Sequence, residues 1–110
     1  MKKIVHGSTN VFVDIGLSDA TERQAKLKLA LVINDIVTAR KLTQAQAANL
    51  LEINQPKISA LANYKLERFS VEGLMNFLTA LDRDVEIIIH KPKKRSKGSA
   101  GRGEIRVAAA

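Results

Sequence analysis

The sequence predicts a mainly α-helical domain of four to five helices with one small β element. Three observations predict this fold class: apolar residues recur at helical spacing in several segments, two of those segments are short and closely joined, and an alternating run follows at residues 85–90. A chain of 110 residues has room for one core. We therefore expect an N-terminal segment with a short strand (1–17), one folded domain (18–90) and a C-terminal tail (91–110).

The first long helix follows a strand-like N-terminal segment. In VFVDI, residues 11–15, valine and isoleucine alternate with other residues. Ser18 or Asp19 can cap a helix that continues through Arg40. Its predicted inward stripe consists of Ala25, Leu29, Val32, Ile33, Ile36 and Val37.

Two short helices and a tight turn are predicted between Thr43 and Asn63. Thr43 and Gln46 have the spacing of a capping box, in which each side chain bonds the other residue's free backbone N–H. Asn54 can cap the next helix, and Pro56 falls in its first turn. The predicted inward residues are Ala47, Ala48, Leu51, Ile53, Ile58 and Leu61, and the outward ones are Gln44, Gln46, Gln55, Lys57, Ser59 and Asn63. This spacing indicates a helix-turn-helix unit with an outer face rich in amides, which suit base edges.

A fourth helix and a strand complete the predicted domain. Ser70 caps the helix, and its interior Gly73 indicates close packing against another helix. The predicted inward stripe is Val71, Leu74, Met75, Leu78 and Leu81. After it, alternation in VEIIIH (85–90) predicts a strand, which needs a partner for its backbone groups. That partner is either residues 11–15 or a second copy of the chain.

The net charge of +7 is concentrated in the tail. Residues 91–110 hold seven cations and one anion, which leaves only +1 for the first 90 residues. The tail has too few apolar groups to repay ordering, so we expect it to be mobile, serving either solubility or general attraction to phosphates. The chain has no cysteine, no secretory h-region and no apolar run of membrane-spanning length, so we expect a cytoplasmic protein without membrane contact.

Catalytic and metal sites are not expected. The sequence contains no glycine-rich phosphate loop, and His6 and His90 lack metal-ligand spacing. Asp82, Asp84 and Glu86 form a small acidic group of the kind that is usually only solvated. We therefore expect no enzyme activity, no cofactor and no metal.

Residues 29–81 resemble the Cro and phage-repressor-like (XRE-type) helix-turn-helix regulators. Gln44 and Gln55 stand eleven positions apart and flank small and apolar residues at the positions where such repressors place their core. The longer patterns NVFVDIGL and LTALDRDVEIII, before the first helix and after the fourth, are similar to the HigA-type antitoxins of toxin–antitoxin modules. The sequence departs from the family at Glu52, where many members have a glycine with positive φ, at a cost on the order of 1–2 kcal/mol.

The resemblance implies roles for individual residues. Gln55 would lie in the major groove and bond adenine N6 and N7, while Gln44 would contact a phosphate and brace Gln55. Lys57 and Ser59 would approach guanine acceptors or backbone oxygens, and the residues after the recognition helix would meet phosphates. The full predicted DNA-binding set is Gln44, Gln46, Asn54, Gln55, Lys57, Ser59, Asn63, Tyr64 and Lys65.

The predicted partner is double-stranded DNA with a palindromic operator, bound by a homodimer. The preferred dimer element is the 85–90 strand, with Val85, Ile87, Ile88 and Ile89 at the interface; the rival is an intramolecular sheet with residues 11–15.

Two functions remain open. One is an autorepressing antitoxin with a small ribonuclease toxin of the RelE/HigB type as its partner, and the other is a free-standing phage- or plasmid-type repressor. Leu27 and Leu31 lie off the inward stripe, so they form either a partner surface or a packing site for the N-terminal segment. A non-specific architectural DNA binder is disfavoured by the amide-rich face.

Overall fold

The structure is a computed structural model that describes residues 19–92 and 103–109. Within these ranges the chain forms four helices: α1 (Asp19–Ala39), α2 (Gln44–Leu51), α3 (Gln55–Ala62) and α4 (Val71–Ala80). α1 packs chiefly against α4, and α2 packs against α3. The mainly helical prediction is confirmed, while the strand predicted at residues 11–15 lies outside the described residues.

One apolar cluster joins the four helices. Its largest fully buried side chains are Ile33, Leu61, Leu74 and Leu81. The inward stripes predicted for the helices are confirmed, although four of their members are half-buried at the edge of the cluster: Val32, Val37, Ile53 and Met75. Helical periodicity alone is sufficient to find such a core, because each helix buries one face.

Side-chain caps set the starts of the last three helices. Thr43 Oγ1 accepts the Gln46 N–H at 3.1 Å, and Gln46 Oε1 accepts the Thr43 N–H at 2.9 Å, which confirms the capping box. Asn54 Oδ1 accepts the Lys57 N–H at 2.8 Å. Ser70 Oγ accepts the Gly73 N–H at 2.9 Å. Each bond satisfies a backbone donor that the first helical turn leaves unpaired.

Gly73 makes room for its own helix cap. A Cβ at this position would lie 3.0 Å from Ser70 Oγ, and no atom of another helix lies within 4 Å of it among the described residues. The close approach of a neighbouring helix predicted at Gly73 is therefore wrong. The glycine leaves space for the serine hydroxyl instead.

All four described helices end on a left-handed residue that carries a side chain. These residues are Lys41 (φ 54°), Glu52 (φ 59°), Tyr64 (φ 59°) and Asp82 (φ 63°). At each end the following N–H donates to a carbonyl five residues back, as Ile53 does to Ala48 at 2.9 Å. This is the Schellman arrangement, in which glycine is the usual left-handed residue. The positive φ expected at Glu52 is confirmed.

The predicted strand at 85–90 does not form within residues 19–92 and 103–109, so the small β element is wrong for the described chain. Alternation gives a segment strand propensity, but a strand exists only where its backbone bonds a neighbour. Residues 85–90 make no such bond within the described ranges. Val85 packs at the edge of the core, while Ile87, Ile88 and Ile89 are exposed by 37%, 59% and 74%.

Part of the predicted tail contacts the domain. Ile105 and Val107 are half-buried, and Val107 packs against the core cluster. The sequence predicts a mobile tail, and this contact of Val107 was not identified from it. Two apolar residues separated by a single arginine are a signal too short to recognise within a cationic sequence.

Candidate nucleic-acid interface

The starts of α2 and α3 present two exposed amides. Gln44 is the first residue of α2 and Gln55 the first of α3, and both side chains are exposed. Their amides bond neither each other nor any other group within the described chain, so the bracing of Gln55 by Gln44 is absent from this conformation. Both amides are available to a ligand.

An open, shallow groove lies between α2 and the start of α3. Its polar lining consists of Gln46, Asn49, Glu52, Asn54 and Gln55. The fold thus brings together three residues predicted to bind DNA, Gln46, Asn54 and Gln55. Asn49 was missed by the sequence reasoning, although it stands three residues after Gln46 and therefore on the same helix face. The Glu52 carboxylate in this lining disfavours a phosphate there.

Several predicted contact residues also hold the unit together. The side-chain oxygens of Gln46 and Asn54 accept backbone N–H groups at the starts of α2 and α3. Their NH₂ groups remain as donors. Asn63 Nδ2 donates to the Ser59 carbonyl at 2.9 Å, and Ser59 is half-buried. Tyr64 is 39% exposed, and Lys65 is also exposed beyond the end of α3. The outer face is thus polar, and local bonds hold the side chains of Gln46, Asn54 and Asn63 in position.

Lys57 lies over an aromatic ring. Its Nζ is 5.3 Å from the centroid of Phe69, a buried residue in the loop between α3 and α4. Attraction of this kind operates up to about 6 Å from a ring centroid. The sequence reasoning did not find Phe69, because no local spacing connects residues twelve positions apart in a helix and a loop.

α1 fixes the far end of α3. Asn34 Nδ2 donates to the Leu61 carbonyl at 3.1 Å, where the last turn of α3 leaves its carbonyls without helical partners. Arg40 makes a similar bond to the Leu81 carbonyl at the end of α4, at 2.6 Å. α1 and the arginine that follows it therefore hold α3 and α4 by their C-terminal ends.

Comparison with known proteins defines the family. A family model described as "Helix-turn-helix domain" matches residues 11–90. A solved structure described as an XRE-family transcriptional regulator is 57% identical, with a TM-score of 0.74, over 84% of this chain and 100% of that one. The chain belongs to the XRE-type helix-turn-helix family. A search of curated proteins found no match.

In this XRE-type protein α3 corresponds to the recognition helix, the second helix of the motif. Its N-terminus carries Gln55, and Glu52 takes the left-handed position in the turn before it. The turn thus has the left-handed backbone that glycine usually provides, although the residue there is a glutamate.

In the described ranges, no group of three or more histidine, cysteine, aspartate or glutamate side chains is placed to hold a metal ion. None of the helices described is both long and apolar enough to cross a membrane.

Proposed function

We propose that this chain is a sequence-specific repressor that binds a palindromic DNA operator as a homodimer. The observation that carries the proposal is the pair of exposed, unbonded amides at the starts of α2 and α3. With α3 in the major groove, Gln55 meets base edges, where a side-chain amide makes paired hydrogen bonds to adenine. Gln44 lies one helix earlier and bonds a phosphate. Repression is steric, by exclusion of polymerase, and requires no catalysis.

The remaining polar residues have supporting roles in this proposal. The NH₂ groups of Gln46, Asn49 and Asn54 donate toward DNA from the groove beside Gln55. Ser59, Asn63, Tyr64 and Lys65 contact phosphates along and beyond α3. Phosphate contacts fix the register of the domain on DNA, and base contacts select the sequence.

Dimerisation follows from the size of one recognition helix. A single α3 reads only a few base pairs, so useful selectivity needs two copies on half-sites about 34 Å apart. Residues 85–90 supply the interface, because Ile87, Ile88 and Ile89 are exposed beside a backbone that makes no ladder bonds in the described chain. Pairing across a two-fold axis satisfies the backbone and buries these side chains.

The operator proposal is tested with the DNA upstream of the chain's own gene and a scrambled fragment of equal length. Gln55→Ala should lower affinity for the upstream fragment by about 1–3 kcal/mol, the value of a good bidentate base contact, and change binding to scrambled DNA little. Gln24→Ala, which removes an exposed amide from α1, is the matched control and should leave both affinities unchanged. Equal losses on both fragments would assign Gln55 to the DNA backbone instead.

The dimer is tested by sedimentation of a double variant, Ile88→Lys with Ile89→Lys. The charges should prevent pairing and give a folded monomer with weaker operator binding. Leu50→Lys changes a leucine that is 41% exposed on α2 and should leave the dimer intact. A dimer that survives the double variant would place the interface elsewhere.

We further propose that the repressor is the antitoxin of a toxin–antitoxin module, with a small RelE/HigB-type ribonuclease as its partner. Support comes from the HigA-like patterns in the sequence and from Leu27 and Leu31, which are 46% and 40% exposed on α1. A small ribonuclease encoded beside this gene should co-purify with the chain and lose activity when bound. If the neighbouring product neither binds nor is inhibited, the free-standing repressor is the better description.

A further inference from the structure

We propose that Phe69 is a positioning residue for Lys57, and that the pair makes Lys57 an anchor for a DNA phosphate rather than a reader of bases. The inference rests on the proposed DNA-binding function. It assigns base contacts to the flank of α3 that carries Gln55 and a phosphate contact to the flank that carries Lys57. The observation behind it is the 5.3 Å separation between Lys57 Nζ and the centroid of the Phe69 ring.

The ring is the fixed member of the pair. Phe69 is only 5% exposed, and its ring meets Phe77 edge-on, with centroids 6.1 Å apart and planes at 78°. Its backbone N–H donates to the Leu66 carbonyl at 3.0 Å. Lys57, by contrast, has an exposed side chain on a flexible stem. The buried Phe69 ring therefore restricts the position of the Lys57 side chain, and the reverse does not hold.

Lys57 and Gln55 lie on opposite flanks of α3. Two residues along an α-helix correspond to about 200° of rotation, so the two side chains leave the axis about 160° apart. The inner face between them is marked by the buried Ile58 and Leu61. Gln55 lines the groove shared with α2, whereas Lys57 lies over the loop that leads to α4. When α3 inserts Gln55 among the bases, Lys57 on the other flank therefore points toward the edge of the groove, where the phosphates lie.

Stacking leaves the ammonium competent to bind an anion. A lysine has three N–H donors, and those that point away from the ring remain free for phosphate oxygens. Lysine also loses much rotamer freedom when its position is fixed. Phe69 limits that freedom before DNA arrives, which reduces the entropy lost on binding.

The test is a double-mutant cycle measured on the upstream and scrambled fragments across a salt series. Lys57→Met should weaken both complexes by the same factor and reduce the salt slope by about 1, as expected for one lost phosphate contact. Phe69→Leu should weaken both by about two- to fivefold, because a modest cation–π preference is lost. In the Lys57→Met background Phe69→Leu should have no further effect. Phe77→Leu removes a ring that contacts Phe69 but keeps the Phe69 ring beneath Lys57, so it is the control for disturbed aromatic packing and should weaken both complexes less than Phe69→Leu does.

A second readout needs no DNA. The Lys57 side-chain protons should show an upfield ring-current shift by nuclear magnetic resonance, which Phe69→Leu abolishes and Phe77→Leu retains. The inference is overturned if Lys57→Met changes the preference at one operator base pair, or if Phe69→Leu acts equally with and without Lys57. If the wild-type chain binds neither fragment while the ring-current shift is present, the DNA-binding function itself has failed.

Discussion

Glu52 carries backbone strain in the turn between α2 and α3. Its φ of 59° lies in the left-handed region, where a side chain crowds the following carbonyl. The conformation persists because the Ile53 N–H bonds the Ala48 carbonyl and Ile53 packs at the edge of the core. The turn is therefore held by its neighbours and does not depend on the preference of Glu52 itself.

Glu52→Gly should stabilise the fold by about 1 kcal/mol, because glycine adopts positive φ without the steric cost and loses only part of that gain to its greater freedom in the unfolded chain. Urea denaturation measures the change. Glu52→Ala is the control, since it removes the carboxylate but keeps Cβ, and it should not stabilise comparably. If alanine stabilises as much as glycine, the cause is the charge of Glu52 and not its backbone.

At the residue scale, local bonds were predictable and distant ones were not. The bonds of Thr43, Asn54 and Ser70 span three residues, so sequence spacing reveals them directly. Asn34 bonds a carbonyl 27 residues away, and Phe69 lies beneath a lysine from another element. Such pairs depend on how helices pack, and no local pattern encodes that packing.

At the element scale, α2 depends on its capping box. The helix has only eight residues, Gln44–Leu51, so isolated helix propensity contributes little to its formation. The reciprocal bonds between Thr43 and Gln46 fix its first turn at 2.9 and 3.1 Å. They also fix the backbone from which Gln44 projects.

Thr43→Ala should therefore lower the free energy of unfolding by about 1 kcal/mol, because a backbone donor of the first turn loses its acceptor. Thr43→Ser keeps the hydroxyl and should cost much less. Thermal unfolding of the two variants, followed by circular dichroism, makes the comparison. Equal destabilisation by serine and alanine would attribute the effect to the threonine methyl group.

Helices and strands were predictable to different degrees for a physical reason. A helix closes its hydrogen bonds within its own residues, so the periodicity of α1 and α4 was enough to find them. A strand at 85–90 needs bonds from a second segment, and its sequence carries no information about that partner. The isoleucine pattern thus indicates that residues 85–90 can form a strand, and within the described chain they bond no second segment.

At the scale of the whole molecule, most of the positive charge lies outside the family domain. The matched family region ends at residue 90, and residues 91–110 carry +6 of the net +7. The contact of Val107 with the core brings the end of this cationic stretch back to the domain. Under the proposed function, the uneven charge separates two contributions to DNA binding: a nearly neutral domain would read the sequence, and a cationic extension would attract phosphates.

Replacing four cations of the extension, Lys93, Lys94, Arg95 and Lys97, with glutamine should weaken binding to upstream and scrambled DNA by the same factor. Each phosphate contact contributes about 0.9 to the slope of log affinity against log salt, so the slope should fall by up to about 3 to 4. This variant keeps Val107 and its core contact, which truncation would remove. Changing Lys93, Lys94 and Lys97 to arginine keeps the charge and should leave the slope intact. If the glutamine variant loses its preference for the upstream fragment while Gln55→Ala retains it, the extension reads the operator and α3 only anchors the protein.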